Sequence, residues 1–251
     1  MLFFPPACGV GATARDLDKS REGAATLAVE VEDAAVGEKI SGGLWVGRGM
    51  WEDLDQLRRL LDAGAVRPVF QPVVDLAEGK LWGYEVLSRG TGPLESAGAL
   101  FGAARKYRLL WELEEVCRRV ALEALAREGV PSSVRMAFNV SAATFLDPRF
   151  FQSFSHKVVR SAGLVPEQII LEITEQEAFC DAEAMGSAVA LARDQGFAVA
   201  IDDLGAGFAG LMRLLICRPD VIKLDLSLVR GVASDAYQRH LVHALGEFAR
   251  R

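Results

Sequence analysis

Apolar residues recur along this chain with two alternating periods, and the alternation sets out its organisation. From residue 51, "WEDLDQLRRLLDAG" places Leu54, Leu57, Leu60 and Leu61 on one helical face and stops at Gly64. "RPVFQPVVDL" and "KLWGYEVLSRG" then read as two strands around the turn "AEGK". A long helix is predicted in "WELEEVCRRVALEALAREG", with Gly129 and Pro131 as its stop signal. Strand "VRMAFNVSA", a helical stretch near 144–162 and strand "QIILEIT" follow. A helix at 183–195, strand "FAVAID", a helix from about 208, strand "DVIKLD" and the amphipathic helix "YQRHLVHALGEFARR" complete the series.

Repeated strand–helix units of this length imply a parallel α/β sheet. Buried strands with polar residues gathered at their C-terminal ends predict a TIM-like (βα) barrel, with its active site on that rim. Six strands are legible from residue 69 onward, and a closed barrel of this type needs eight. The expectation is therefore a barrel incomplete at its C-terminus, over residues 51–251. Residues 1–50 are rich in glycine and small residues and read as an N-terminal extension, weakly ordered or a short hairpin. Within them "TLAVEVEDA" alternates like a strand, and "KISGGLWVG" is its candidate partner.

Composition narrows the function classes. Half the residues are apolar (51%) and a quarter charged (25%), an ordinary globular balance. The net charge of −6 argues against a general binder of nucleic acid polymers, which usually carries a basic face. Cys8, Cys117, Cys180 and Cys217 form no CxxC pair or zinc spacing. No apolar run approaches the roughly 18 residues that span a bilayer, and "MLFFPPACGVG" lacks the basic start of a signal peptide. A cytoplasmic protein without a membrane partner is the expectation.

The candidate chemistry lies at the strand ends. Side chains at i, i+2 and i+4 of a strand share a face. Glu85, Leu87 and Arg89 therefore point one way, and Trp82, Tyr84 and Val86 the other. The same parity turns Asn139 with Ser141, Glu172, and Lys223 with Asp225 inward, while Ile222 and Leu224 face the outer helices. In "FAVAIDDLGAGFAG" the apolar run ends in two adjacent aspartates, Asp202 and Asp203. One acceptor would suffice to cap a following helix, and two such carboxylates raise each other's pKa unless a cation holds them. Buried charges on several strands are costly without partners. The inventory of Glu85, Arg89, Asn139, Glu172, Asp202, Asp203, Lys223 and Asp225 is rich in oxygen and lacks His and Cys. It favours Mg²⁺ or Mn²⁺ over zinc. Two such ions about 4 Å apart would activate water and stabilise the leaving oxygen of a phosphoryl substrate.

Five ordered segments, "EVLSR", "FNVSA", "LEITE", "DDLGAGFAGL" and "PDVIKLD", resemble the motifs of the EAL domain family, and "QPVVDL" before the first of them is similar too. That family hydrolyses the bacterial second messenger cyclic di-GMP to the linear dinucleotide pGpG. The resemblance implies metal ligands at Glu85, Asn139, Glu172, Asp202 and Asp203, holding a two-metal site of Mg²⁺ or Mn²⁺. It implies catalytic roles for Lys223, Asp203 and Glu175, the last propping the "GAGFAG" loop over the metals. It also implies substrate contacts at Arg89, Leu87, Gln71 and Asp225, with Arg89 on the ligand's phosphate.

Val86 stands where the family name has Ala, and Leu204 where the family has Phe. The family pattern continues beyond "HALGEFARR" with a strand bearing a catalytic Glu and a last strand bearing a ligand-binding Gln. Hydrolysis by these 251 residues is accordingly expected to be impaired. A non-catalytic cyclic di-GMP receptor or a dimerising regulatory module is the alternative. The expected partners are cyclic di-GMP, a second copy docking through residues 204–210 and the neighbouring helix, and a possible sensory protein.

Overall fold

Strand and helix alternate along the computed structural model as the two periods require; it describes residues 2–4, 26–27, 49–173, 181–205 and 210–249. Two short strands, β1 (Leu2–Phe4) and β2 (Thr26–Leu27), come first. The remainder of the hairpin expected over residues 26–47 lies outside the described residues. The leucine face of α1 (Gly49–Ala63) buries Leu57 and Leu60. β3 (Arg67–Asp75) and β4 (Lys80–Arg89) pair antiparallel. Asp75 fixes their turn, its Oδ1 accepting the N–H groups of Ala77 and Glu78.

α2 (Ala97–Lys106) is a helix that the periodicity did not announce, because "AGALFGAARK" is too rich in glycine and alanine to show a face. Its start is marked instead by Ser96, whose Oγ accepts the Ala99 N–H. α3 (Leu110–Glu128) ends at Gly129, where φ is +70°. After β5 (Arg135–Val140), the single helical stretch expected near 144–162 is three short pieces: α4 (Ala142–Phe145), α5 (Phe150–Ser153) and α6 (His156–Ser161). Pro148 disfavours helix at the residue before it, and Ser155 is extended, so the apolar period runs on across breaks in the backbone. β6 (Ile169–Ile173), α7 (Ala182–Asp194), β7 (Ala198–Leu204), α8 (Gly210–Cys217), β8 (Val221–Leu224), α9 (Leu226–Val229) and α10 (Ala236–Ala249) follow.

The strands form one sheet in the order β2-β1-β8-β7-β6-β5-β4-β3. β4 to β8 are mutually parallel, β3 is antiparallel to β4, and β1 lies antiparallel on the outer edge of β8. The six strands β3 to β8 curl into a half-barrel. Its convex face carries Val86, Phe138, Val140, Leu171, Ile173, Val199 and Ile201 into a large core shared with the helices. Its concave face carries a smaller apolar layer of Val73, Ala137, Ile170, Ala200 and Val221. Each fully buried aliphatic side chain contributes about 1.5–3 kcal/mol, so the apolar wall holds the fold and leaves the strand ends free for chemistry.

Candidate functional site

Two residues beyond the concave apolar layer, every parallel strand changes character. Ala137 is followed on the same face by Asn139, Ile170 by Glu172, Ala200 by Asp202 and Val221 by Lys223. β4 contributes Glu85, which pairs with Ala137 two residues before Asn139, while Asn139 pairs with Glu172. Glu85, Glu172, Asp202 and Lys223 are all buried, Glu172 and Lys223 completely (0% exposed).

Their side chains converge. Oxygen atoms of Glu85, Glu172 and Asp202 lie within 4.8 Å of one another. Lys223 Nζ sits among them, 3.1 Å from Glu85 Oε2, 2.6 Å from Glu172 Oε2 and 3.2 Å from Asp202 Oδ2. Asn139 Nδ2 donates to the other Glu85 oxygen, Oε1, at 2.8 Å. Burial pushes the Glu172 carboxyl well above its usual range against the pull of Lys223, and Glu85 and Asp202 push it further. Burial likewise raises Asp202 to about 6, with Asp203 and Glu85 adding to the effect and Lys223 opposing it. Burial would lower the pKa of Lys223, but the three carboxylates together raise it, so the ammonium stays charged. One cation thus faces three buried acids.

The adjacent aspartates separate at a bulge. The β7–β8 register shifts between Ile201 and Leu204, and Asp203 takes φ +55°, a left-handed conformation that Asp tolerates better than most residues. Asp203 N–H donates to Asp202 Oδ1 at 2.8 Å. Asp202 therefore enters the cluster while Asp203, half-buried, stays at its margin. Gly205 turns the chain away with φ +111°, and a Cβ there would collide with the Leu228 side chain.

The other expected site residues are distributed around this centre. Gln71 lies opposite Glu85 in the β3–β4 pair, on the same face. Leu87 shares a cavity of about 400 Å³ with Glu85, Asn139 and Ser141. Arg89 is half-buried, and its Nη1 donates to the Ser88 carbonyl at 3.1 Å. Asp225 caps α9, its Oδ1 accepting the Ser227 N–H at 2.8 Å, and is not part of the acidic cluster. Glu175 and residues 206–209 lie outside the described residues. The sequence reading missed Glu114 of α3, which is buried and accepts the Ser141 N–H. A glutamate in a charged amphipathic helix reads as surface, so no local signal marked it.

The donor set suits a hard divalent cation. All its donor atoms are oxygens, and Glu172 Oε1 is buried with no hydrogen-bond partner among the described residues. A ligand oxygen waiting for an ion would have this environment. A parallel half-barrel with an acidic cluster at its C-terminal rim defines the class, that of TIM-like barrel domains whose rim suits a divalent cation.

The EAL domain profile matches residues 54–251, and the chain belongs to the EAL domain family. It is 30% identical over 204 residues to the probable cyclic di-GMP phosphodiesterase PdeG of Escherichia coli, covering 78% of this chain and 39% of that protein. It is 30% identical over 183 residues to the cyclic di-GMP phosphodiesterase PA2567 of Pseudomonas aeruginosa, covering 70% of this chain and 31% of that protein. This chain thus spans two fifths or less of the length of these relatives. Among solved structures, the PaMucR phosphodiesterase in complex with c-di-GMP superposes with a TM-score of 0.66 at 26% identity, covering 77% of this chain and 80% of that one. These neighbours share the TIM-like barrel architecture of the EAL domain.

Proposed function

We propose that this chain acts on cyclic di-GMP by metal-dependent phosphodiester hydrolysis, releasing the linear dinucleotide. The observation that carries the reading is the convergence of Glu85, Glu172 and Asp202 from three strands, with Glu172 Oε1 lacking a hydrogen-bond partner among the described residues. Glu85, Asn139, Glu172, Asp202 and Asp203 would hold Mg²⁺ or Mn²⁺. When bound, such ions supply Lewis acidity and lower the pKa of a coordinated water.

The chain's own side chains do the rest. Lys223 balances the carboxylates and stands where it can orient the attacking water or a phosphate oxygen. Arg89, at the end of β4, would exchange its local carbonyl contact for a phosphate oxygen, a stronger charge-assisted bond. Leu87 and Gln71 would border the ligand's path, and the family resemblance assigns Asp225 to a ligand contact and Glu175 to the support of the segment over the metals. Met212 and Leu215 on α8 are 59% and 65% exposed and form an apolar surface suited to a second copy. Among the described residues no helix is long and apolar enough to cross a membrane.

A second reading, a receptor that binds cyclic di-GMP without cleaving it, is favoured by one observation. Lys223 already contacts all three carboxylates, so the cluster is partly charge-compensated without an ion. Turnover of cyclic di-GMP with Mg²⁺ or Mn²⁺, read by chromatography of the linear product, separates the two. Product formation that disappears in Glu85→Gln supports the enzyme. Binding in calorimetry with Ca²⁺ but no turnover with Mg²⁺ or Mn²⁺ supports the receptor, and no binding at all overturns both.

A further inference from the structure

We propose that the buried pair Glu114 and Arg118 of α3 positions the rim of the site, by fixing the end of β5 and with it Asn139. Both side chains are only 4% exposed. They lie one helical turn apart, with Arg118 Nη1 3.5 Å from Glu114 Oε2. Glu114 is spent on the backbone of a neighbouring element, its two oxygens accepting the Ser141 N–H at 3.2 and 3.4 Å. Ser141 in turn caps α4, its Oγ accepting the Thr144 N–H at 3.3 Å. Two residues before Ser141, Asn139 holds Glu85 Oε1 at 2.8 Å. The carboxylate of α3 therefore anchors the peptide at which β5 turns into α4, and the anchored strand end carries the amide that orients a member of the acidic cluster.

Arg118 makes this anchor workable. Burial pushes Glu114 up, and the hydrogen bonds of Ser141 and the charge of Arg118 oppose it. Arg118 itself is held between two rings, its guanidinium carbon 5.5 Å from Trp111 and 5.0 Å from Phe150. Its Nη1 and Nη2 are buried with no hydrogen-bond partner among the described residues. A purely structural core would be served as well or better by apolar side chains, because a buried ion pair is weak evidence for stability. What the pair adds is a directed acceptor behind the strand end. The pair and the site border one cavity, which Glu85, Asn139, Ser141, Glu114 and Arg118 all line.

The functional consequence rests on the reading of Glu85 and Asn139 as a metal seat, but the positioning itself does not. The test uses the full chain and the variants Arg118→Met, Arg118→Lys and the double variant Glu114→Gln with Arg118→Met. Three quantities are read: exchange of the Ser141 amide, the Asn139 side-chain amide resonance, and Mn²⁺ affinity by calorimetry. In Arg118→Met the Ser141 amide is expected to exchange at least about tenfold faster than in the wild type, while amides of β6 and β7 in the same sample keep their wild-type rates. The Asn139 resonance is expected to move, and Mn²⁺ affinity to fall by about 10–100-fold, the usual effect of losing a group behind a ligand. The double variant restores all three, since a glutamine oxygen still accepts from Ser141 and no uncompensated charge is buried.

If Arg118→Met does not fold, Arg118→Lys decides, with the Ser141 and Asn139 signals expected to change in the same direction. A folded variant whose Ser141 exchange and Asn139 resonance match the wild type overturns the positioning role. Wild-type protein that binds no Mn²⁺ sinks the metal reading while leaving the two amide signals to decide this one.

Discussion

Asp202 and Glu172 face a charge problem that their neighbours only partly solve, and pH exposes it. With Asp202 raised to about 6 and an unfolded value near 3.9, the native chain holds a proton that the unfolded chain has released. The stability it contributes is fully present below about pH 4 and is lost as pH rises through 6. At about 1.4 kcal/mol per pK unit the loss is roughly 3 kcal/mol. The thermal stability of the wild type minus that of Asp202→Asn, measured in EDTA, should therefore fall as pH rises from 4 to 6.5. Saturating Mg²⁺ holds the carboxylates ionised and should reverse that sign; a difference curve identical with and without Mg²⁺ would contradict the metal seat.

Arg89 is the complementary case. It is only half-buried and its Nη1 bonds a neighbouring carbonyl, so Arg89→Ala should leave the melting temperature nearly unchanged. Cyclic di-GMP binding should weaken by about 1.5–3 kcal/mol, the loss of one charge-assisted contact. Calorimetry on the folded variant checks it.

Among the elements, β7 shows how a local irregularity serves the site. A regular strand would send Asp202 and Asp203 to opposite faces, one of them into the apolar outer wall. The bulge at Asp203 removes that conflict, and Gly205 completes the turn in a conformation and a space that exclude a Cβ. Gly205→Ala should therefore cost about 1–3 kcal/mol, the usual price of strained backbone, in a urea unfolding curve. It should also lower Mn²⁺ affinity by displacing the two aspartates. α2 gives a smaller lesson. Its helicity rests on the Ser96 cap and on burial of Leu100 and Ala104, rather than on an amphipathic pattern.

For the whole molecule, the exposed large apolar side chains among the described residues lie on several elements, from the β3–β4 turn to α10. Met212 and Leu215 stand out from α8, the next described element after β7 along the chain. Leu215→Glu should leave the monomer fold intact, because the side chain is 65% exposed and packs little. Sedimentation velocity should show a dimer in the wild type and a monomer in the variant; a wild type that stays monomeric at tens of micromolar would remove the second copy as a partner.

The sequence by itself determined the six strands β3 to β8, most of the helices, and the inward direction of Glu85, Asn139, Glu172 and Lys223. It could do so because a period of two or of 3.6 is a property of local backbone geometry, written into consecutive residues. Only the tertiary structure decided which inward groups meet. Lys223 bonds Glu172 across 51 positions and Glu85 across 138, and that meeting depends on the parallel register and the curl of the sheet. The same holds for the bulge that parts Asp202 from Asp203, and for the burial of Glu114 behind Ser141. Each is set by where another element comes to rest, and no window of neighbouring residues contains that information.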